Sequence, residues 1–432
     1  MQKADIIIIG AGPGGYETAA EAASKGMHVI LFEKDRLGGT CLNRGCIPTK
    51  CLCAAAEAID AIKNASQFGI QCKDIVADYA TARQRVESVM NELRDGIADL
   101  LKNVEVIVSE AILLPDNKVE AGGIVYEAEK IIIATGSRPA KLQVDGADFA
   151  LNSDDFLNLE RMPERLTVIG GGVIGLEFAS IANAFGTKVT VLEFCKEILP
   201  GCDSDMAKRL RSYLGRQGID IVTDAKVHSV DSSFTVTFER KNKMSTVEGD
   251  KVLAAVGRRP VIPACKNGMT LPLTEKGFIA VDEAYRIVGC ENVYAIGDVN
   301  GKTMLAHAAS AQGRIVLGED MNVDVIPSVV FTNPECAFVS ERTLTASRSV
   351  RLPYSSNGKA VASGHSEGIV KLGYDEESRR IVSCCVIGSH AADIIAEASL
   401  AISTKMTLED IRRSIHAHPA LSELLYLAVS LA

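Results

Sequence analysis

Ala4 to Lys34 reads ADIIIIGAGPGGYETAAEAASKGMHVILFEK, and Leu166 to Phe194 reads LTVIGGGVIGLEFASIANAFGTKVTVLEF. Each stretch has an apolar strand, a glycine turn, an alanine-containing helix and a second strand that ends in an acid. In both copies the acid falls 23 positions after the first glycine, from Gly10 to Glu33 and from Gly170 to Glu193. The chemistry of dinucleotide binding accounts for the spacing. Gly10 and Gly170 permit a tight turn, Gly12 and Gly172 let backbone amides approach a pyrophosphate, and Gly15 and Gly175 let the helix pack on the strand. The helix N-terminus then faces the phosphates, and the closing glutamate accepts hydrogen bonds from an adenosine ribose.

The repeat extends beyond these units. KIIIATGSRPA, Lys130 to Ala140, parallels KVLAAVGRRPV, Lys251 to Val261, with Gly136 aligned to Gly257. Each reads as the strand that returns to close its domain. The first copy spans 126 positions from Gly10 to Gly136 and the second 87 from Gly170 to Gly257, so 39 more lie in the first. That longer copy holds GGTCLNRGCIPTK, Gly38 to Lys50, with Cys41 and Cys46 five positions apart. In a regular helix such positions have Cα atoms roughly 8 to 9 Å apart, whereas a disulfide tolerates at most about 7 Å. A bond between the sulfurs therefore requires the backbone to leave helical geometry, and Gly45 is placed to allow it. The unit with the cysteine pair is expected to hold the redox cofactor and the plain unit the exchangeable nicotinamide. A 2′-phosphate beside Glu193 would set like charges about 4 Å apart, at roughly 1 to 4 kcal/mol, so NAD is expected over NADP.

The 432 residues allow about three domains. A net charge of -9 with no basic run argues against nucleic acid or an anionic membrane as partner. No apolar run approaches the ~20 residues of a membrane span, and the chain enters a strand pattern directly after Met1, so a cytoplasmic location is expected. The twelve cysteines include no CxxC pair, and a zinc site is not expected. Cys51, Cys53, Cys384 and Cys385 read as small packing residues. A carboxylate at Glu423, on a helix starting at Pro419, would hold His418 in one tautomer.

Taken with YAIGDV at Tyr294 to Val299 and HAHPALSE at His416 to Glu423, these motifs resemble the pyridine-nucleotide disulfide reductases over nearly the full length, and the residues around the cysteines resemble the lipoamide branch. The resemblance implies an α/β fold of two Rossmann-like dinucleotide-binding domains plus an α+β C-terminal dimerisation domain. The FAD-binding parts would be 1–147 and 271–323, the NAD-binding domain 148–270 and the dimerisation domain 324–432. FAD would lie along Gly10, Gly12, Gly15, Glu33, Thr40, Lys50, Thr135, Gly136, Ser137 and Asp298, with Met304, Ala306 and His307 beyond the flavin ring. NAD would use Gly172, Gly175, Glu193, Val227 and Gly257. Cys46 would be the thiol next to the flavin, Cys41 the one that exchanges with substrate, and His418 the base held by Glu423. Glu177 would sit by the nicotinamide and pair with Lys50. The implied reaction is oxidation of dihydrolipoamide by NAD⁺ in a homodimer whose base comes from the neighbouring subunit. The implied partners are lipoyl domains of 2-oxo acid dehydrogenase or glycine cleavage complexes. A sister reductase for another small disulfide, or a flavoprotein kept as a binding subunit, remain alternatives. Against the family pattern, Val339 to Pro353 reads as short by a helix-sized stretch, and Asn333 stands where the lipoamide branch often has histidine.

Overall fold

The computed structural model describes Gln2 to Ala432 and divides the chain into two compact units. The first contains Met1–Cys51, Thr81–Ala140 and Gly257–Met321, and the second the remainder.

In the first unit, Gln2–Ile9 lies between Val29–Glu33 and Ile124–Ile133, with Glu105–Val108 beyond the former and Val293–Ala295 beside the latter, all parallel. The apolar run Ile6–Ile9 in this strand follows from its position, because a central parallel strand is covered on both faces. Ile7 and Ile9 enter one core with Phe32 and Ile131, whereas Ile6 and Ile8 enter another with Leu31 and Ile132. The first half of the long Ile124–Ile133 strand also carries an antiparallel meander, Lys118–Ala121 and Ile112–Leu114. The helix Pro13–Ser24 packs on Ala306–Val316 through small residues: a Cβ at Gly313 would lie 1.8 Å from the Thr18 hydroxyl. The two closing motifs of the repeat, after their strands end, pair with each other: Ser137–Pro139 runs antiparallel to Arg258–Pro260.

The second unit repeats the parallel pattern in smaller form, with the order Asp220–Val222, Lys188–Leu192, Arg165–Ile169, Lys251–Ala254. A three-stranded antiparallel sheet, Lys226–Val230, Thr235–Arg240 and Lys243–Glu248, adjoins it in sequence. The C-terminal part is α+β. Five antiparallel strands run in the order Ser328–Val330, Glu335–Ser340, Ile381–Gly388, Ile369–Tyr374, Arg348–Pro353. Helices Ala391–Ser403 and Glu423–Ser430 seal one sheet face into a core that includes Val339, Leu372, Cys384, Val386, Ile395 and Leu425. Between Val339 and Pro353 the chain finishes one strand, turns through Glu341 to Ser347 and forms the edge strand, with no helix. Among the described residues no helix is long and apolar enough to cross a membrane.

Candidate active site

The two glycine turns are built alike. Gly10 and Gly170 have φ of +103° and +112°, and a Cβ there would lie 2.5 Å from the Ala134 carbonyl oxygen and 2.4 Å from that of Ala255. A Cβ at Gly15 or Gly175 would meet the carbonyl oxygen of the turn's own first glycine at 1.8 Å or 2.0 Å. At Gly12 and Gly172 a Cβ would meet nothing within 4 Å. Gly12 and Gly172 thus face open space at the N-caps of Pro13–Ser24 and Val173–Ala184, the geometry a pyrophosphate needs. Gly15→Ala is expected to destabilise the protein by about 1–3 kcal/mol, as overpacking does. Gly12→Ala should leave the melting temperature unchanged yet lower the bound flavin. Thermal melts and flavin absorbance per chain distinguish the two.

Both acids are held by the turns they close. Glu33 accepts from the amides of Ala11 (2.8 Å) and Asp35 (2.9 Å), and Glu193 from those of Gly171 (2.5 Å) and Cys195 (2.6 Å). Two bonds leave lone pairs on each carboxylate for ribose hydroxyls. Glu193 is buried, Lys196 is exposed, and the nearby Arg211 is committed to Glu197 through bonds of 2.8 and 2.9 Å. A buried, amide-held anion disfavours a 2′-phosphate and so favours NAD⁺. The expected penalty for NADP⁺ is about fivefold to nearly a thousandfold in kcat/KM, from the roughly 1 to 4 kcal/mol of repulsion. Equal values for the two coenzymes would overturn it.

The cysteine motif forms two helices. Gly39–Arg44 carries Cys41, Cys46 opens Cys46–Lys63, and Gly45 breaks the path between them with φ -145° and ψ -112°. The glycine also has a steric reason: a Cβ at Gly45 would lie 2.9 Å from the Thr40 carbonyl oxygen and 3.3 Å from Cys41 Cα. Cys41 is half-buried and Cys46 exposed. Hydrogen bonding to Cys46, reinforced by burial, pushes the Cys41 thiol well up, while the charge of Lys50 acts the other way. Cys46 sits at a helix N-terminus, where the dipole favours negative charge, with Lys50 one turn along the same face.

Gly38 and Gly39 were not singled out for this role by sequence reading, yet they join the thiols to the dinucleotide turn. The Gly38 amide donates to the Ala11 carbonyl at 2.8 Å, and a Cβ at Gly39 would lie 2.7 Å from Gly12 Cα. Thr40 and Cys41 follow directly. Asn43 secures the turn by donating to the carbonyls of Leu37 and Gly39 at 2.9 Å each, and Arg94 donates to Asn43 at 2.8 Å.

Around the closing motif, Ser137 donates to the Asp298 carboxylate, and Arg258 donates to the Ser137 hydroxyl at 2.6 Å and to its carbonyl at 2.8 Å. Arg258 escaped sequence reading, although it occupies the same repeat position as Ser137. Thr135 donates to the Val261 carbonyl at 2.5 Å. Gly136 and Gly257 have φ of +68° and +104°. Gln312 accepts from the Gly297 amide and from Asn300, both at 2.8 Å, so the turn bearing Asp298 is tied to the helix Ala306–Val316. Met304 and His307 are exposed at the start of that helix, with Ala306 half-buried between them.

In the second unit, Glu177 is buried and accepts from the Phe331 amide at 3.0 Å. Val227 lies half-buried in the strand Lys226–Val230. Asn333 donates to Asp60 at 2.7 Å, a structural use for the residue that departs from the family pattern. His418 Nδ1 pairs with Glu423 at 3.0 Å, and the other carboxylate oxygen of Glu423 accepts from the Ala420 amide at 2.8 Å. The Ala420 amide and then His418 hold the Glu423 carboxyl below its usual range. Pro419 does not begin a helix, contrary to the sequence expectation. The helix begins at Glu423, because the preceding turn is closed by the Glu423 side chain itself. The His418 side chain is 79% exposed, leaving Nε2 open. His416 differs, with its ring 9% exposed, bonded to Glu397 at 2.8 Å and packed on Tyr426.

A turn built for a dinucleotide, with a dithiol docked on it, calls for comparison with known proteins. The description "Pyridine nucleotide-disulphide oxidoreductase" matches residues 4–313, and the dimerisation domain of the same family matches 326–429. The chain belongs to this family. Among its relatives, "Dihydrolipoyl dehydrogenase" of Geobacillus stearothermophilus is 37% identical over 100% of this chain and 96% of its own, as is the protein of that name from Bacillus subtilis. The solved structure titled "HOCl-induced flavoprotein disulfide reductase RclA from Escherichia coli" superposes with a TM-score of 0.86 at 28% identity, covering 99% of each chain. Pyridine nucleotide-disulphide oxidoreductases use FAD and NAD, and the paired turns, each with an open second glycine and a closing carboxylate, fit two dinucleotides.

Proposed function

We propose that this protein oxidises dihydrolipoamide to lipoamide with NAD⁺ as acceptor. The observation that supports the reading is the close approach of Gly39, two residues before Cys41, to Gly12 of the first dinucleotide turn. Its full-length likeness to proteins named dihydrolipoyl dehydrogenase supports the choice of substrate.

The chain's residues then act as follows. His418 Nε2 takes a proton from one substrate thiol, since the thiolate is the nucleophile. That thiolate attacks Cys41 Sγ, the Cys41–Cys46 bond breaks, and Cys46 leaves as a thiolate. The second substrate thiol gives up its proton to solvent and, as a thiolate, attacks the substrate sulfur of the mixed disulfide, closing lipoamide and releasing Cys41, which recovers a proton through His418. Bound FAD supplies the two-electron relay from the dithiol to NAD⁺, giving NADH and one proton overall. Lys50 offsets the negative charge on Cys46, and Glu177 lies at the nicotinamide. The functional unit is a homodimer, supported by the dimerisation domain over 326–429 and by the outward-facing His418 ring, which serves the partner's Cys41. We place the enzyme in the cytoplasm, acting on lipoyl domains of 2-oxo acid dehydrogenase or glycine cleavage complexes.

The test is NADH formation from dihydrolipoamide and NAD⁺, set against glutathione reduction with NADH or NADPH. The reading expects the first and not the second. Preference for glutathione would transfer it to a sister reductase, and a yellow, dimeric protein inactive with both would make it a binding subunit.

A further inference from the structure

Cys202, Cys336 and Cys385 come from three distant segments of the second unit, and their sulfurs lie within 4.8 Å of one another. Strand register explains the placement. Cys336 pairs with Ile387, and Cys385 pairs with Phe338 on one side and Lys371 on the other, so Cys336 and Cys385 project from one sheet face, one diagonal apart. Cys384 projects from the opposite face into the helix-covered core, as adjacent strand residues must. Cys202 is brought over the open face by its neighbours. Asp203 caps the helix Ser204–Arg216 through the amides of Asp205 and Met206 and binds Lys371 Nζ at 2.5 Å, and Asp205 binds Arg351 at 3.0 Å.

We propose that Cys202, Cys336 and Cys385 form a three-thiolate site for a soft monovalent d¹⁰ cation, Cu(I), separate from the Cys41–Cys46 pair. Three considerations favour this over packing and over a second disulfide. Diagonal partners in an antiparallel pair have Cα atoms roughly 7–8 Å apart, beyond the reach of a relaxed disulfide. An ion bonded to three sulfurs at about 2.3 Å holds them about 4.0 Å apart, within the spread seen here. The ligand set selects the ion. Thiolates favour soft metals, and the nearest carboxylate, Asp203, is occupied by two amides and Lys371, so the fourth ligand of a closed zinc site is lacking.

Lys371 stands directly opposite Cys385 on the same sheet face. Cu(I) would enter without change of oxidation state, and the thiol protons would pass to solvent as the S–Cu bonds form.

The test is anaerobic competition for Cu(I) against a chromophoric chelator, in a Cys41→Ser/Cys46→Ser background that removes the other thiol pair. One equivalent of Cu(I) per chain is expected to resist the chelator there. Cys202→Ala should abolish it while leaving the flavin content and melting temperature unchanged, which guards against loss through misfolding. Cys72→Ser, at an exposed cysteine, should retain it. X-ray absorption should show three sulfur scatterers at about 2.3 Å. No retained equivalent in the double-serine background, or an unchanged one in Cys202→Ala, would overturn the site.

Discussion

Cys41→Ser is expected to abolish dihydrolipoamide turnover, by on the order of 10⁴-fold or more, the scale on which loss of a residue that forms the covalent intermediate registers. The substrate thiolate then has no disulfide to attack. The substitution should nonetheless give long-wavelength charge-transfer absorbance with the flavin oxidised, because Cys46, no longer tied in a disulfide, is a free thiol at the head of its helix, one turn before Lys50. Cys46→Ser should remove both activity and that absorbance. The contrast assigns the two sulfurs: Cys46 stands at a helix N-terminus, where negative charge is favoured, whereas hydrogen bonding to Cys46 and burial push the Cys41 thiol up. Absorbance lost in Cys41→Ser but kept in Cys46→Ser would reverse the assignment. A colourless preparation after gentle purification would remove the basis of the mechanism altogether.

His418→Gln is expected to lower kcat/KM by about 10²–10⁴-fold, the usual contribution of a positioned general base. Glutamine keeps a polar side chain near Glu423 but cannot take a proton from the substrate thiol. Glu423→Gln should cost less, since His418 retains its proton-accepting nitrogen, and should alter the pH profile on the acid side. Because the Ala420 amide and His418 hold the Glu423 carboxyl low, it stays ionised through neutral pH. Its stabilising contribution is present above the ordinary carboxylate range and is lost only as pH falls through the depressed value. The subunit origin of the base has its own test. Mixing Cys46→Ser chains with His418→Gln chains should restore one working site per heterodimer, if His418 serves the neighbour's Cys41. Absence of any recovery after demonstrated subunit exchange would place His418 and Cys41 on one chain.

The sites differ in how far a linear reading reaches them. Glycine turns are local: the offset from Gly10 to Glu33, repeated from Gly170 to Glu193, encodes a strand, a turn and a helix whose geometry depends on neighbours in the chain. The carboxylate opposite His418 was likewise legible, because Glu423 lies only five residues away. The start of its helix was misjudged at Pro419, since a proline at a helix start and a proline in the preceding turn look alike until the side chain of Glu423 is seen closing that turn. His416 could pass for a surface histidine because its partner, Glu397, belongs to another helix.

Amino-acid order by itself determined the duplicated dinucleotide unit, the need for a backbone break between Cys41 and Cys46, and the acid that holds His418. These rest on short-range sterics and periodicity, which act through the covalent chain. Only the tertiary structure decided that Gly39 presses the dithiol onto Gly12, that Arg258 clamps Ser137 beside Asp298, and that Cys385 leaves its neighbour Cys384 in the core to meet Cys202 and Cys336. Those contacts join residues from 27 positions apart upward, and their pairing depends on strand register and helix docking, which no local pattern records.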